Sequence, residues 1–193
     1  MSDVVVGADG VARCPWAVGS EMMAAYHDTE WGVPLHGEGP LFERISLEAF
    51  QSGLSWSTIL RKREGFRAAF SGFDADAVAA LTDADVERLM ADERIVRNRA
   101  KIEATRANAA AVVALRTGGG LDELVWSHAP APGRTGPRRL GDLPARTPGS
   151  VALAKDLKAH GFRFVGPTTA YALMQAAGLV DDHLAGCHRR GAG

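Results

Sequence analysis

Apolar residues along this chain recur at intervals of three and four, not two, which predicts one helix after another. Ser20 is placed to cap "EMMAAYHD", and "GPLFERISLEAFQSGL" carries Leu41, Ile45 and Leu47 at helical spacing. Ser55 can cap a single helix over "WSTILRKREGFRAAF", along which Ile59, Arg63, Phe66 and Phe70 advance by three or four. In "TDADVERLM", Thr82 and Asp85 have the spacing of a capping box, with Val86, Leu89 and Met90 as the apolar face. "RNRAKIEATRANAAAVVALR" predicts a long Ala-rich helix stopped by Gly118, Gly119 and Gly120. Two last helices are expected near "VALAKDLKAHG" and "TTAYALMQAAG". "FRFVG" (162–166) could pass for a strand, but it is too isolated to build a sheet.

The expected organisation is a flexible N-terminal tail over 1–12, one helical domain over 13–188 with a Pro-, Gly- and Arg-rich surface loop at 130–148, and a short tail at 189–193. At 46% hydrophobic and 23% charged residues, pervasive disorder and fibrous repetition are excluded. No run reaches the roughly 20 apolar residues that cross a bilayer, and the first residues carry no leader pattern, so a cytoplasmic protein without a membrane partner is expected. A net charge of -1 gives no global attraction to nucleic acid, so any such contact must come from local charge.

Cys14 and Cys187, the two cysteines, lie near opposite ends, each with a histidine nearby: His27 and His183. If "HLAGC" is helical, His183 and Cys187 share a face with Cβ atoms about 5–6 Å apart and can reach one ion. Two thiols and two imidazoles would make a closed, structural zinc site. Packing is the competing account, since cysteine is often buried, and His36 and His188 are alternative ligands. Either way, the arrangement makes sense if the chain ends meet.

Trp16, Trp31 and Trp56 cluster with Tyr26 in the first third, around Glu48 in "SLEAFQSGLSW". Glu48 either faces water from the helix surface or is buried at a cost that needs a partner. In the second case aromatic planes with one carboxylate suit a flat, cationic, hydrogen-bond-donating ligand such as a positively charged purine.

Five blocks in order, "CPWA" (14–17), "AYHDTEWGVP" (25–34), "LFERISLEAFQSGLSWSTILRKREGFRAAF" (41–70), "VRNRAKI" (96–102) and "GFRFVGPTTAYALMQAAGLVDDHLAGC" (161–187), resemble the 3-methyladenine DNA glycosylase I family. The resemblance implies an all-α, helix-hairpin-helix glycosylase-like fold in which one structural zinc, held by Cys14, His27, His183 and Cys187, joins the N- and C-terminal segments. It implies a monomeric, monofunctional enzyme without organic cofactor that excises 3-methyladenine from double-stranded alkylated DNA, leaving an abasic site and the free base. Glu48 is then the active-site acid that hydrogen-bonds the extruded base; Tyr26 and Trp56 contact the base, and Trp16 and Trp31 help wall the pocket. Gly53 and Leu54 match the positions that fill the gap in the duplex. The hairpin within "ERIVRNRAKIEATR" (93–106) supplies Arg94, Arg97, Arg99, Lys101 and Arg106 as a basic DNA-facing cluster.

The chain departs from the family pattern at four places. Met23 stands where a tyrosine is usual, Arg94 where the hairpin has glycine, Asp181 where an asparagine lies near the metal half-site, and His128 where an aromatic is usual. A zinc-stabilised DNA-binding module without catalysis would share the clasp and hairpin but leave the aromatic pocket unexplained. A catalytic zinc hydrolase would need an open coordination position, which four protein ligands deny.

Overall fold

The computed structural model describes residues 2–131 and 136–191, and its regular structure is helical apart from one short two-stranded hairpin. Ser20 and Ser55 cap α1 (Glu21–Thr29) and α3 (Trp56–Arg61), on either side of α2 (Glu38–Gln51). After α4 (Arg63–Ala69) and the short α5 (Ala75–Ala79), Thr82 and Asp85 form the expected capping box at the start of α6 (Asp83–Ala91). A tight connection leads to α7 (Arg99–Leu115), where Asn98 accepts from the Lys101 amide. The chain then forms α8 (Gly120–Trp126), α9 (Pro148–Ala159) and α10 (Pro167–Ala176).

Helix α2 is the central element: residues 44 to 50 are all buried, and it meets α3, α7, α8 and α10. A run of rings, Phe50 to Phe66 at 4.6 Å, Phe66 to Phe70 at 6.4 Å and Phe70 to Phe73 at 5.7 Å, packs one end of the core. Each buried phenylalanine of this kind contributes about 1.5–3 kcal/mol by leaving water.

The structure corrects four expectations. Residues expected as a loose tail form a hairpin, with β1 (Val5–Val6) antiparallel to β2 (Ala12–Arg13). Arg13 anchors it through Asp9 and Asp28, and His188 N–H donates to the Ala12 carbonyl. The segment expected as a single helix over 56–70 breaks at Lys62, whose ammonium donates to the Glu93 carbonyl at 2.6 Å. The bend lets Gly65 press against the α6–α7 connection. α7 ends at Leu115 and runs into a 3-10 turn over Arg116–Gly118, which Gly119 closes with φ 97°, but α8 begins at once; α5 and α8 are too short to show a period. "HLAGC" is a turn, not a helix, because Gly186 takes φ 93° there.

"FRFVG" is not a strand: Asn108 brackets Arg163, accepting from its N–H at 2.7 Å and donating to its carbonyl at 3.1 Å. Within the 130–148 loop, residues 132–135 lie outside the described set, as do 192–193 of the C-terminal tail. The rest of the loop is tied in: Asp3 N–H donates to the Arg138 carbonyl and Ala185 N–H to that of Pro137. Among the described residues no helix is long and apolar enough to cross a membrane.

A Cβ on Gly65 would lie 2.5 Å from the Arg94 carbonyl oxygen and 2.7 Å from Arg94 Cβ. Alanine is otherwise favoured over glycine in a helix by about 1 kcal/mol. Gly65→Ala is nevertheless expected to destabilise the protein by about 1–3 kcal/mol, as overpacking does. Urea denaturation decides it: a stabilised variant would show that the connection is free to move away.

Candidate active site and metal centre

Helix α2 brings Glu48 to the floor of a cavity of about 270 Å³ that Trp16, Met23, Tyr26, Trp31 and Trp56 also line. The five aromatic and acidic residues singled out in the sequence therefore share one pocket. Tyr26 and Trp56 lie 5.3 Å apart at 43°, and Trp16 and Trp31 meet edge to face at 5.1 Å. Gln51, Leu143, Ala172 and Gln175 complete the wall. Of these, Gln51 follows Glu48 by three positions and so shares its helix face, a signal available in the sequence. Leu143 comes from the loop at 130–148, which gave none.

Glu48 is 6% exposed, and among the described residues no donor lies within hydrogen-bond distance of its carboxylate. Burial pushes its carboxyl up to about 7, against the opposing pull of Arg44. Arg44, which the sequence reading missed, lies beneath the aromatic wall, 5.3 Å from the centre of the Tyr26 ring and 5.9 Å from that of Trp56. It donates to the Tyr26 hydroxyl and, at 3.5 Å, to Glu30, which also takes Arg63 at 2.6 Å. Since the Tyr26 oxygen accepts from Arg44, its own proton remains for another acceptor; burial pushes that hydroxyl's pKa up. The pocket thus offers aromatic faces, one buried acceptor and one hydroxyl donor.

Beside it the chain ends meet. The ligand-type atoms of Cys14, His27, His183 and Cys187, all buried, lie within 4.8 Å of one another. Cys187 Sγ is 3.4 Å from His27 Nε2 and 3.7 Å from His183 Nδ1, and Cys14 Sγ is 4.0 Å from His183 Nδ1. Tetrahedral zinc with sulfur and nitrogen ligands needs separations of about 3.3–3.8 Å, so the set fits with small adjustments. The outer contacts fit too. His27 Nδ1 donates to Asp28 at 2.7 Å and His183 Nε2 to the Trp31 carbonyl at 3.2 Å, which leaves the other nitrogen of each ring to face the cluster. The closeness of the two sulfurs pushes the Cys14 thiol up and the Cys187 thiol down, a pairing of one protonated and one ionised sulfur that a shared cation would relieve. His36 is elsewhere, stacked on Trp126, and His188 approaches Asp28 at 3.4 Å.

The proposed DNA-facing residues divide. Gly53 and Leu54 lie on an exposed turn after α2, with Leu54 41% exposed. Arg94, Arg97, Arg99 and Arg106 are on the surface around the α6–α7 connection, but each faces an acid: Asp92, Glu93, Glu87 and Asp83 respectively. Such exposed pairs contribute about 0–1 kcal/mol each, so they hold these side chains only weakly. Lys101 does not belong with them. It is 7% exposed and donates inward to the carbonyls of Phe50 and Ser52, and burial lowers its pKa.

The departures settle locally. Arg94 is not among the residues with positive φ, so the hairpin forms without the glycine. Met23 lines the pocket, His128 pairs with Asp156 at 3.0 Å, and Asp181 accepts from the His183 N–H.

The sequence model described as methyladenine glycosylase matches residues 16–190. The chain is 47% identical over 177 residues to DNA-3-methyladenine glycosylase 1 of Escherichia coli (strain K12), which covers 91% of this chain and 95% of that protein. It superposes on a crystal structure of 3-methyladenine DNA glycosylase I with a TM-score of 0.89 at 47% identity, covering 92% of this chain and 99% of the other. A variant of 3-methyladenine DNA glycosylase I in complex with 3-methyladenine superposes with a TM-score of 0.87 at 34% identity, covering 92% and 97%.

Because the Glu48 carboxyl is raised to about 7 in the folded protein and is ordinary when unfolded, the stability it permits is full below about pH 4.5 and declines as pH rises toward 7. Glu48→Gln is uncharged throughout. It is expected to gain stability relative to the parent between pH 5 and 8, on the order of 3 kcal/mol at most. Urea denaturation of both proteins at the two pH values tests this; an unchanged difference would mean the carboxylate is well solvated.

Proposed function

This chain belongs to the methyladenine glycosylase family, and we propose that its aromatic pocket receives the 3-methyladenine that it flips out of damaged duplex DNA, with Glu48 as the group that reads the base. The protein is a DNA repair glycosylase: it hydrolyses the N-glycosidic bond of 3-methyladenine. The observation that carries the pocket assignment is a buried carboxylate without a donor among the described residues, set among aromatic faces.

Methylation at N3 makes the base cationic in DNA, so it departs as a neutral molecule and its bond to the sugar is already weak. The transition state then places positive charge on the sugar, as in glycoside hydrolysis. Little acid catalysis is required, and the protein's task is to extrude the nucleotide and hold it. Glu48 accepts from the donor groups of the methylated base, and its charge is stabilised by a cation that ordinary adenine lacks. Tyr26 and Trp56 supply stacking faces, Trp16 and Trp31 the enclosing walls, and the Tyr26 hydroxyl a donor for a ring nitrogen. Glu48 is assigned recognition, not activation of water.

Gly53 and Leu54 form the wedge that occupies the vacated stack. The amides at the start of α7, with Arg97 and Arg99 released from their acids, hold phosphates. Cys14, His27, His183 and Cys187 would hold one zinc ion per chain, which closes the fold around the pocket and supplies no open position for chemistry. Cysteines kept for a metal and not joined in a disulfide suit the cytoplasm, where the protein would work as a monomer. The non-catalytic module is disfavoured because it has no use for the pocket.

Purified protein is expected to release free 3-methyladenine from methylated duplex DNA, with excision efficiency rising through about pH 7 as Glu48 ionises. Glu48→Gln should lose about tenfold or more and lose that pH dependence, since a charged hydrogen bond becomes a neutral one. Full activity of the variant would remove Glu48 from recognition, and no release by the native protein would leave only the binding module.

Metal analysis should find one zinc per unchelated chain, with chelation lowering the melting temperature. Asp28→Asn, which weakens the partner of His27, should lower metal affinity about 10–100-fold. A stoichiometry near zero would reduce the cluster to packing.

A further inference from the structure

The turn that follows α2 is defined closely enough to name its type. Leu54 N–H donates to the Gln51 carbonyl at 2.7 Å, Ser52 has φ -45° and ψ 113°, and Gly53 has φ 83°. These are the angles of a type II turn, whose third position requires the left-handed region that glycine enters without strain. Types I and II differ in the direction of the central peptide: the carbonyl of the second residue, here Ser52, points to opposite sides. Lys101 Nζ donates to that carbonyl at 2.7 Å and to the Phe50 carbonyl, one of those left free at the end of α2, at 2.9 Å. A buried ammonium at this place favours the type II direction and complements the negative end of the helix.

We propose that Lys101 is a positioning residue that locks the 51–54 turn in its type II form and so aims Leu54 at the duplex, an inference that rests on the reading of Gly53 and Leu54 as the wedge. Lys101 lies in the first turn of α7, directly after the connection assigned to phosphate. One side chain therefore sets the distance between the phosphate-holding helix start and the wedge. A ladder of this kind gives the wedge a fixed register on the strand, which a turn free to flip its central peptide would not keep.

The test measures single-turnover release of 3-methyladenine from methylated duplex, and equilibrium binding of free 3-methyladenine, for native protein, Lys101→Met, Leu54→Ala and the double variant. Lys101→Met should lose about tenfold in release, within the range of coupling seen between residues that act together. Its affinity for the free base should stay within about twofold, since the pocket does not use the wedge. The double variant should release base no more slowly than Leu54→Ala alone, because a lysine that works through Leu54 has nothing left to position. Losses that multiply, or a matching loss of free-base affinity, would make Lys101 a general structural cap of α2 and overturn the proposal.

Gly53→Ala supplies the same test without touching the lysine. An added Cβ meets nothing within 4 Å, so the only penalty is the φ of 83°. This variant should show the same split between release and free-base binding, and it carries the cycle with Leu54→Ala if Lys101→Met does not fold. Full activity in Gly53→Ala would also overturn the proposal. Absence of release by the native protein would overturn the glycosylase reading itself, and this inference with it, whereas multiplicative losses overturn this inference alone.

Discussion

The hydrogen bond from His183 Nε2 to the carbonyl of Trp31 joins two stretches of chain 152 positions apart, and it does so where the pocket needs a wall. Trp16 follows Cys14 by two positions and Trp31 follows His27 by four, so the residues that enclose the cavity are fastened through the four-residue cluster beside it. Neither tryptophan sits on α2, the helix that carries Glu48. Their directions depend on the meeting of the chain ends, which Arg13 reinforces by holding Asp28 against His27. The small β-hairpin has the same effect from outside: His188 Nδ1 also donates to the carbonyl of Ala12, at 3.0 Å. Closure of the termini and shaping of the pocket are one structural event.

Within that enclosure, Glu48, Arg44, Glu30 and Arg63 alternate in sign from the pocket outward. Arg44 has partners on its outer side, in Glu30 and the Tyr26 hydroxyl, while Glu48 has no donor on its inner side among the described residues. A buried carboxylate in that condition costs stability, and a cost retained at a site is a sign of what the site binds. On the proposed reading, the ligand that relieves it is a cation with donor groups, and the aromatic faces of the pocket favour a flat one. Under that reading uncharged adenine would stack as well but would bring no positive charge to the carboxylate, so the discrimination would come from the charge.

Much of this was legible because it is local. The Ser20, Ser55 and Thr82 caps depend on residues three apart, and the long α7 on seventeen residues with good helix propensity. The hidden parts depend on distant partners. Nothing near Lys62 announces a bend at which its ammonium reaches the Glu93 carbonyl, 31 positions away. "HLAGC" has helical spacing, yet Gly186 turns it, and His183 and Cys187 converge by a different geometry with the same result. Arg44 reads as an ordinary surface charge in "LFERISLEAF" until the fold places two aromatic rings over it. Lys101 reads as one more cation in a basic run, although its neighbours Arg97 and Arg99 face water and it does not.

That difference bears on how a chain with a net charge of -1 handles a polyanion. The surface arginines of the α6–α7 connection are held by acids, so approach to DNA exchanges one set of weak ion pairs for another and gains little from long-range attraction. Specific placement must then come from fixed geometry: the start of α7, the turn at 51–54, and the helix between Glu48 and that turn. Glu48 and Gln51 share a face of α2, and Leu54 follows only three residues later. On the proposed reading of Leu54 as the wedge and Glu48 as the reader, a rigid helix end would make extrusion and reading parts of one motion, since the turn and the pocket mouth are carried by the same helix.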